Sequence, residues 1–320
     1  MAEKPRIAIT MGDPCGIGPE IIAKALASGQ IYPLCRPLVI GSADALEAGV
    51  KAGGVALAVR RVESAAGAGE DPRTADVLDM ANFTADDLTV AQASAAGGKA
   101  QWEWMRKAQE LLAGGQVQGL AMAPVNSQAL KLSGVQASFA PSNPHMFNFN
   151  GPLRVVRLTD HTQYKDVPNE VKKDKIVPVL EMIHAAFRRW GFSSPRIAVA
   201  GLNPHAMGEE EEQEIAPAVK EAQQRGINAQ GPFPPDSVFH QCAEGNFDVV
   251  LAMTHDQANI AQKTRRLEGT VSLADPDQIR TSVSHGTAYD IAGKGIASEE
   301  SILNAIKLAA MMAGGTGFPA

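Results

Sequence analysis

The strongest constraint on the fold is a regular alternation of short apolar runs with longer segments of helical periodicity. The apolar runs have the length of β-strands and lie at residues 6–10, 37–41, 119–123, 196–200 and 248–253. The segments with helical spacing cover residues 19–28, 91–113, 172–190, 209–224 and 299–312. Strands that alternate with helices predict parallel βαβ units, whose sites lie at the carboxyl ends of the strands. The chain is therefore predicted to be an α/β protein.

Composition excludes several classes of function. The chain has 320 residues, enough for one large or two ordinary α/β domains. Its net charge of −6, without a basic stripe, gives no footprint for nucleic acid or for an anionic membrane surface. The apolar stretch near the N-terminus is too short for a signal peptide or a transmembrane span. Three cysteines without CxxC spacing argue against disulfides, so a cytoplasmic protein is expected.

Three histidines each follow a different apolar run. His161 comes after RVVRLTD, His205 after RIAVAGLNP and His255 after DVVLAMT. Because the carboxyl ends of parallel strands gather at one edge, these imidazoles can converge on a catalytic divalent metal. Zinc is the first choice, with Mg, Mn and Co as alternatives, and Asp160 and Asp256 could serve as ligands or as acceptors for the imidazoles. Spacing alone leaves the alternative open that these are ordinary surface or hydrogen-bonded histidines.

Two glycine-rich loops are candidates for cofactor binding. The first, MGDPCGIGPE at residues 11–20, has the spacing G-x-x-x-G-x-G, and no acidic residue ends the second strand. It is therefore rejected as a Rossmann dinucleotide loop. The second, SHGTAYDIAGKGIA at residues 284–297, offers the Asp290 carboxylate to a ribose diol, which would favour NAD over NADP. The alternative for this second loop is an ordinary turn into a helix.

Residues 139–152 (FAPSNPHMFNFNGP) are predicted to form an irregular loop. The segment carries three Phe and one Met among Asn and Pro residues. A loop with that much apolar surface either packs against the protein or covers a ligand. Both interpretations stay open.

Four motifs together carry a family likeness. They are MGDPCGIGPE at residues 11–20, GLNPHA at 201–206, HDQ at 255–257 and IRTSVSHGTAYDIAGKG at 279–295. In this order, over nearly the whole chain, they resemble the 4-hydroxythreonine-4-phosphate dehydrogenase (PdxA) family, which makes a precursor of pyridoxal phosphate. The last motif is also similar to the adenosine-binding loop of isopropylmalate dehydrogenases.

The resemblance implies a fold and an assembly. The fold would be of the isocitrate/isopropylmalate dehydrogenase-like type, with two α/β/α domains and an active site in the interdomain cleft. Residues 1–124 and 264–320 would form the first domain with the cofactor loop. Residues 125–263 would form the second, with the metal-binding histidines and the contacts of a homodimer.

The resemblance also implies roles for individual residues. The metal ligands would be His161, His205 and His255. Lys263 would contact substrate, and Arg280 would bind it. Lys263 is also the candidate for moving protons, and Asp256 is the second catalytic candidate, with the role of orienting His255. The NAD loop would comprise His285, Gly286, Thr287 and Asp290.

The chain departs from the family at several substrate contacts. SFAPSNPH at residues 138–145 replaces a GHTE stretch, and His145 at its end is carried over as a substrate-binding residue. Ser127, Ala258 and Val271 stand where the family has lysine, glycine and asparagine. The chain is therefore identified as a divergent member, for which the resemblance specifies the reaction type more closely than the substrate.

Three functions follow, each with a small molecule as partner. The first is a metal- and NAD-dependent, decarboxylating dehydrogenase of pyridoxine biosynthesis that oxidises a secondary alcohol in a hydroxy acid. The second keeps this chemistry on a non-phosphorylated aromatic cis-dihydrodiol carboxylate, such as terephthalate dihydrodiol, because the Phe-rich segment and the lost polar contacts suit an apolar ring. The third is a catalytically silent relative that binds a small molecule.

Overall fold

A computed structural model describes residues 3–136, 145–265, 269–273 and 277–318, along which strands and helices alternate. The strands are β1 (Arg6–Thr10), β2 (Arg36–Gly41), β3 (Ala58–Arg61), β4 (Thr74–Asp79), β5 (Gly119–Met122), β6 (Phe147–Asn150), β7 (Leu153–Arg157), β8 (Ile197–Ala200), β9 (Ala229–Phe233), β10 (Val249–Ala252), β11 (Val271–Leu273) and β12 (Arg280–Val283). The α-helices are α1 (Gly18–Ala27), α2 (Ala43–Gly53), α3 (Ala95–Ala113), α4 (Ser127–Leu132), α5 (Val167–Glu170), α6 (Lys173–Arg189), α7 (Ala216–Gln224), α8 (Val238–Ala243), α9 (His255–Arg265) and α10 (Glu300–Gly314). The predicted α/β class is confirmed.

The chain divides into two compact units. The first comprises Met1–Ala140 with Gln278–Gly314, and the second comprises Pro141–Asp277 with Gly315–Ala320. These limits differ from the sequence boundaries at residues 124 and 264. Residues after 124 stay with the first unit because the Gln101 side chain of α3 forms hydrogen bonds with both the backbone N–H and the backbone carbonyl of Asn126. Asn126 N donates to Gln101 Oε1 at 2.8 Å, and Gln101 Nε2 donates to Asn126 O at 3.2 Å.

The first unit is built on parallel strands in the order β3-β4-β2-β1-β5-β12. Ile7, Ala8 and Ile9 of β1 are all fully buried, and because successive side chains point to opposite faces, this strand is covered on both. Trp104 of α3 is also fully buried and meets Phe83 edge to face, with ring centroids 6.0 Å apart. Helices α1 and α2 pack together, and α10 packs on β5 and β12.

The second unit has the strand order β11-β6-β7-β10-β8-β9. The four strands from β7 to β9 pair in parallel, whereas β6 is antiparallel to both of its neighbours. The residues of β6 were predicted to be irregular, and this prediction is wrong. Gly151, at φ +58°, makes the tight turn that returns the chain from β6 into β7.

The alternation Phe-Asn-Phe-Asn explains why β6 forms. The rings of Phe147 and Phe149 lie 5.6 and 6.2 Å from that of Trp190, centroid to centroid, in the core of the unit. The Asn150 amide donates to Gln262 O at 3.0 Å and to Thr270 Oγ1 at 2.9 Å. Two of the three predicted loop phenylalanines are therefore core residues. Residues 137–144, which include the third phenylalanine and most of the SFAPSNPH segment, lie outside the described residues.

Two further features concern the cysteines and the helices. The three cysteines are buried and free, which agrees with the predicted absence of disulfides. In the ranges that the structure describes, none of the helices combines the length and apolar character needed to cross a bilayer.

Candidate functional site

Parallel pairing continues beyond the ends of β7 and β10. Leu158 N donates to Ala252 O at 2.8 Å, one residue after the last residue of β7. The hydroxyl of Thr159 donates to Met253 O at 2.8 Å. The residues that follow the two strands therefore leave the sheet side by side.

Three of these following residues form a compact group of possible metal ligands. Asp160, His161 and His255 each offer one ligand atom, and these atoms lie within 4.8 Å of one another. The two imidazole rings are 5.5 Å apart between centroids. Asp160 Oδ1 is buried and accepts no hydrogen bond from the described residues, although Arg157 Nη2 lies 3.3 Å away as an ion-pair partner. Two imidazoles and a carboxylate with an uncommitted oxygen fit a borderline divalent cation.

The sequence THDQ fixes His255 at the first position of α9. Thr254 Oγ1 accepts from Gln257 N at 3.2 Å, and Gln257 Oε1 accepts from Thr254 N at 3.3 Å. This reciprocal pair is a capping box, which satisfies free donors at a helix start. Gln257 Nε2 also donates to Gly201 O at 3.0 Å, so the same side chain ties α9 to the residue after β8.

Asp256 orients the His255 ring. Its Oδ1 lies 2.8 Å from His255 Nδ1, and its Oδ2 accepts a hydrogen bond from the Tyr164 hydroxyl. The bond from Tyr164, followed by the one from His255, lowers the pKa of the Asp256 carboxyl. An ionised carboxylate at Nδ1 favours the tautomer with its proton there, which leaves Nε2 as the ligand atom. Tyr164 was not predicted from the sequence, because nothing in the sequence places its hydroxyl against α9.

The structure does not bring His205 into this group. His205 is exposed, with φ +58°, in the 3₁₀ turn Pro204–Ala206 that follows β8. Glu211 holds this turn, since its Oε1 accepts from Asn203 N at 2.8 Å. Strand β8 neighbours β10 on the side away from β7, so His205 leaves the sheet two strands from His161. In this part of the described chain, two of the three predicted histidines are together.

Three cavities in the second unit are lined by residues of the group or by Asp256, which contacts it. The walls of the smallest, about 320 Å³, include both imidazoles and three neighbouring polar side chains, namely Asp160, His161, Tyr164, His255 and Asp256. A cavity of about 580 Å³ shares Asp160 and also has His145 and Lys175 in its wall. A largely apolar cavity of about 860 Å³ shares Tyr164 and Asp256. A small molecule held at the imidazoles would therefore have both polar and apolar space beside it.

The other predicted substrate residues of this unit are His145 and Lys263. His145 Nδ1 lies 3.1 Å from Arg157 O, and burial lowers the pKa of this imidazole, which favours its neutral form. Lys263 lies about two turns beyond His255 on α9, and its side chain is exposed to solvent. Within the described ranges Lys263 has no carboxylate partner, so its charge is available to an anion.

Arg280 and the second glycine loop lie in the first unit. Arg280 begins β12, and its buried Nε has no hydrogen-bond partner in the described structure. In the loop, Thr287 is buried, whereas His285 and Asp290 are exposed. Among the described residues, no atom lies within 4 Å of a Cβ built on Gly286, whose φ lies outside the left-handed region. The fold therefore does not require glycine at 286, and a closely approaching ligand is one reason to have it there.

Comparison with known proteins gives consistent matches over nearly the whole chain. A sequence profile of the family described as pyridoxal phosphate biosynthetic protein PdxA matches residues 33–309. A relative from Symbiobacterium thermophilum, provisionally assigned as a D-threonate 4-phosphate dehydrogenase, is 39% identical, with 98% of each chain aligned. The crystal structure of a 4-hydroxythreonine-4-phosphate dehydrogenase from Burkholderia phymatum is 36% identical, with a TM-score of 0.84 over 97% of this chain and 99% of that one.

A terephthalate 1,2-cis-dihydrodiol dehydrogenase from Burkholderia xenovorans is a more distant match. It is 26% identical, with a TM-score of 0.68. The alignment covers 96% of this chain and 98% of that one. The same fold thus occurs in relatives named for phosphorylated and for aromatic substrates.

Proposed function

Because the chain belongs to the PdxA family, we propose that it is a dehydrogenase that oxidises a secondary alcohol in a hydroxy acid with NAD as hydride acceptor. The observation that carries this proposal is the group formed by Asp160, His161 and His255. Both histidines are positions that the family likeness assigns to the metal. Oxidation of a hydroxyl group β to a carboxylate gives a β-keto acid, so loss of CO2 is expected to follow.

The residues present fit a divalent metal, with zinc as the best match to the imidazole and carboxylate donors. His161, His255 and Asp160 would hold it, and Asp256 would keep the His255 ring in place. When bound, such an ion supplies Lewis acidity to substrate oxygens. Lys263, exposed and without a carboxylate partner in the described structure, would exchange protons with the substrate.

His205 is proposed to act across a homodimer. It is exposed on its own chain and lies outside the group formed by the other two histidines, so a second copy could receive it. Mixing His161→Ala with His205→Ala chains tests this directly. If each metal site takes His161 from one chain and His205 from the other, a mixed dimer has one site with both histidines intact and one with neither. If all ligands come from one chain, no intact site returns, and the dimer proposal for His205 fails.

The substrate is proposed to be a phosphorylated hydroxy acid. Lys263 and Arg280 each lack an ion-pair partner among the described residues, as expected for cations that bind carboxylate or phosphate. The names of the more similar relatives specify D-threonate 4-phosphate and 4-hydroxythreonine 4-phosphate. Both compounds carry a carboxylate and a phosphate.

A second candidate is the same oxidation on an aromatic cis-dihydrodiol carboxylate. The observation in its favour is the cavity of about 860 Å³, whose wall has apolar side chains such as Leu202, Phe239 and Ile260 next to Asp256. The Phe-rich segment no longer supports it, because Phe147 and Phe149 pack in the core. The phosphorylated substrate is therefore the first proposal.

Gly286→Ala tests the cofactor loop. A methyl group at this position meets no atom of the described residues within 4 Å, so the variant should keep the wild-type stability. If NAD approaches the backbone here, the methyl should weaken NAD binding, measured by calorimetry, about tenfold, or 1.4 kcal/mol. Unchanged affinity for NAD would remove Gly286 from the cofactor site.

A further inference from the structure

The first glycine loop, residues 11–20, packs directly against the predicted cofactor loop. Ile17 N donates to Thr287 O at 3.0 Å. A Cβ on Gly16 would lie 2.8 Å from both Thr287 Cβ and Thr287 O, closer than real contacts allow. Only glycine therefore permits the two loops to approach this closely. The motif that lacked the spacing of a dinucleotide loop has instead the geometry of a support for another loop.

A buried carboxylate makes the second connection between the loops. Asp13 is fully buried, and its Oδ1 accepts from Cys15 N at 3.0 Å within its own loop. Its Oδ2 accepts the hydroxyl proton of Tyr289 in the cofactor loop. Asp13 N is itself fixed to Pro124 O at 2.9 Å, just after β5. The Tyr289 hydroxyl is thus linked through Asp13 to the residue that follows β5.

The residue between these two connections is held in an unfavourable conformation. Ala288 has φ +45°, in the left-handed region that alanine rarely occupies. It lies between Thr287, bonded to Ile17, and Tyr289, bonded to Asp13. Such a conformation persists only where the surroundings fix it, and the two flanking connections do so here.

The far end of the cofactor loop is fixed as well. Glu20 of α1 accepts from Gly295 N at 3.2 Å and from Ala297 N at 2.9 Å. Lys24, paired with Glu20 at 2.9 Å, donates to the carbonyl oxygens of the same two residues at 2.9 and 2.7 Å. The loop is therefore held at both ends, while His285, Gly286 and Asp290 stay exposed.

From this geometry we infer that Asp13 and Tyr289 are positioning residues for NAD. They hold residues 287–290 in the conformation that receives the adenosine half of the cofactor. A loop that is already ordered loses less conformational freedom when the ligand binds, which strengthens binding without any direct contact. The inference rests on the proposed NAD dependence and gives the first glycine loop a specific role in it.

Tyr289→Phe removes only the hydroxyl that reaches Asp13. Calorimetry should show about tenfold weaker NAD binding, since the loop must then be ordered at the expense of binding free energy. In turnover the KM for NAD should rise, while the KM for substrate and kcat stay near wild type. Zinc affinity should not change, because the metal group lies in the other unit.

Tyr32→Phe is the matched control. Tyr32 is buried in the same unit, and its hydroxyl donates to Thr74 O at 3.2 Å, in β4 rather than in the cofactor loop. This variant loses a tyrosine hydroxyl just as Tyr289→Phe does, and it should bind NAD as the wild type does. Equal weakening in both variants would mean a general loss of stability and would overturn the inference.

A second variant tests the same role independently, in case Tyr289→Phe does not fold. Asn126 Nδ2 donates to Thr287 Oγ1 at 3.1 Å, and Asn126 Oδ1 caps α4 by accepting from Ala129 N at 2.8 Å. Asn126→Ser keeps an oxygen that can cap α4, but its shorter side chain lacks the amide N–H that reaches Thr287, so it too should weaken NAD binding. If the wild type binds NAD, and Tyr289→Phe and Asn126→Ser both bind it with the wild-type affinity, the proposed positioning role is wrong. If the wild type itself binds no NAD, the proposed function fails instead.

Discussion

Replacing Asp256 with alanine should weaken metal binding without disturbing the fold. The carboxylate holds His255 Nδ1 at 2.8 Å and is itself held by the Tyr164 hydroxyl. Without it, the imidazole is free to rotate and to exchange tautomers, so the ligand atom is no longer presented in one orientation. Loss of such an orienting partner typically reduces metal affinity about 10- to 100-fold. We expect that reduction for Asp256→Ala.

The structure also predicts a graded series of variants. Tyr164 donates its hydroxyl hydrogen bond to Asp256 and not to the imidazole, so Tyr164→Phe should weaken metal binding less, about threefold. Asp236 is exposed on the wall of the larger cavity, and Asp236→Ala removes the same charge away from the imidazoles. It should bind metal like the wild type. The assay is calorimetric titration of metal-free protein with Zn²⁺ and with Co²⁺, which needs no turnover. Equal affinity of Asp256→Ala and Asp236→Ala would refute the orienting role.

Three further predictions concern stability and thiol chemistry. Phe318 packs on Phe149 and Trp190, with ring centroids 5.6 and 5.9 Å away. Phe318→Ala should therefore lower the free energy of unfolding, measured in urea, by about 2 kcal/mol. No measurable change would contradict this packing. A Cβ on Gly98 would lie 1.9 Å from Ala129 O. Gly98→Ala should therefore lower the free energy of unfolding by about 3 kcal/mol in the same assay. An unchanged free energy of unfolding would contradict the close contact between α3 and α4. Burial raises the pKa of Cys35 to about 12, so this thiol should react with Ellman's reagent only after denaturation. The Cys35 thiol ionises at a lower pH in the unfolded chain than in the folded protein. The free energy of unfolding should therefore fall as the pH rises from the usual thiol pKa towards 12, and urea titrations across that range would show it.

Much of the framework could be predicted because its signals are local. The apolar run at residues 6–10 coincides with β1, since a continuous run of that length, bounded by a Gly/Asp/Pro loop, suits a buried parallel strand. The helix expected from residue 91 begins only at Ala95, because Ser94 caps it by accepting from Gly97 N at 3.0 Å. The juxtaposition of His161 and His255 followed from strand ends meeting at one edge, and it is found.

The rest depends on contacts between distant parts of the chain. The residues of β6 look like a loop because Asn disfavours strands, but antiparallel partners on both sides satisfy the backbone there. Tyr164 gained its role from a hydrogen bond to α9, 92 residues away in the sequence. The position of His205 depends on Glu211, which fixes the turn from beyond the GLNPHA motif. No spacing rule contains these long-range contacts, so the sequence alone did not predict them.

The most direct test of the proposed function is NADH formation by protein loaded with zinc, compared with protein treated with a chelator. The panel would contain 4-hydroxythreonine 4-phosphate, D-threonate 4-phosphate and terephthalate cis-dihydrodiol. We predict NADH from at least one phosphorylated hydroxy acid, only with metal present. NADH from the dihydrodiol alone would select the second candidate. A protein that binds both zinc and NAD yet forms no NADH with any of the three would contradict the account.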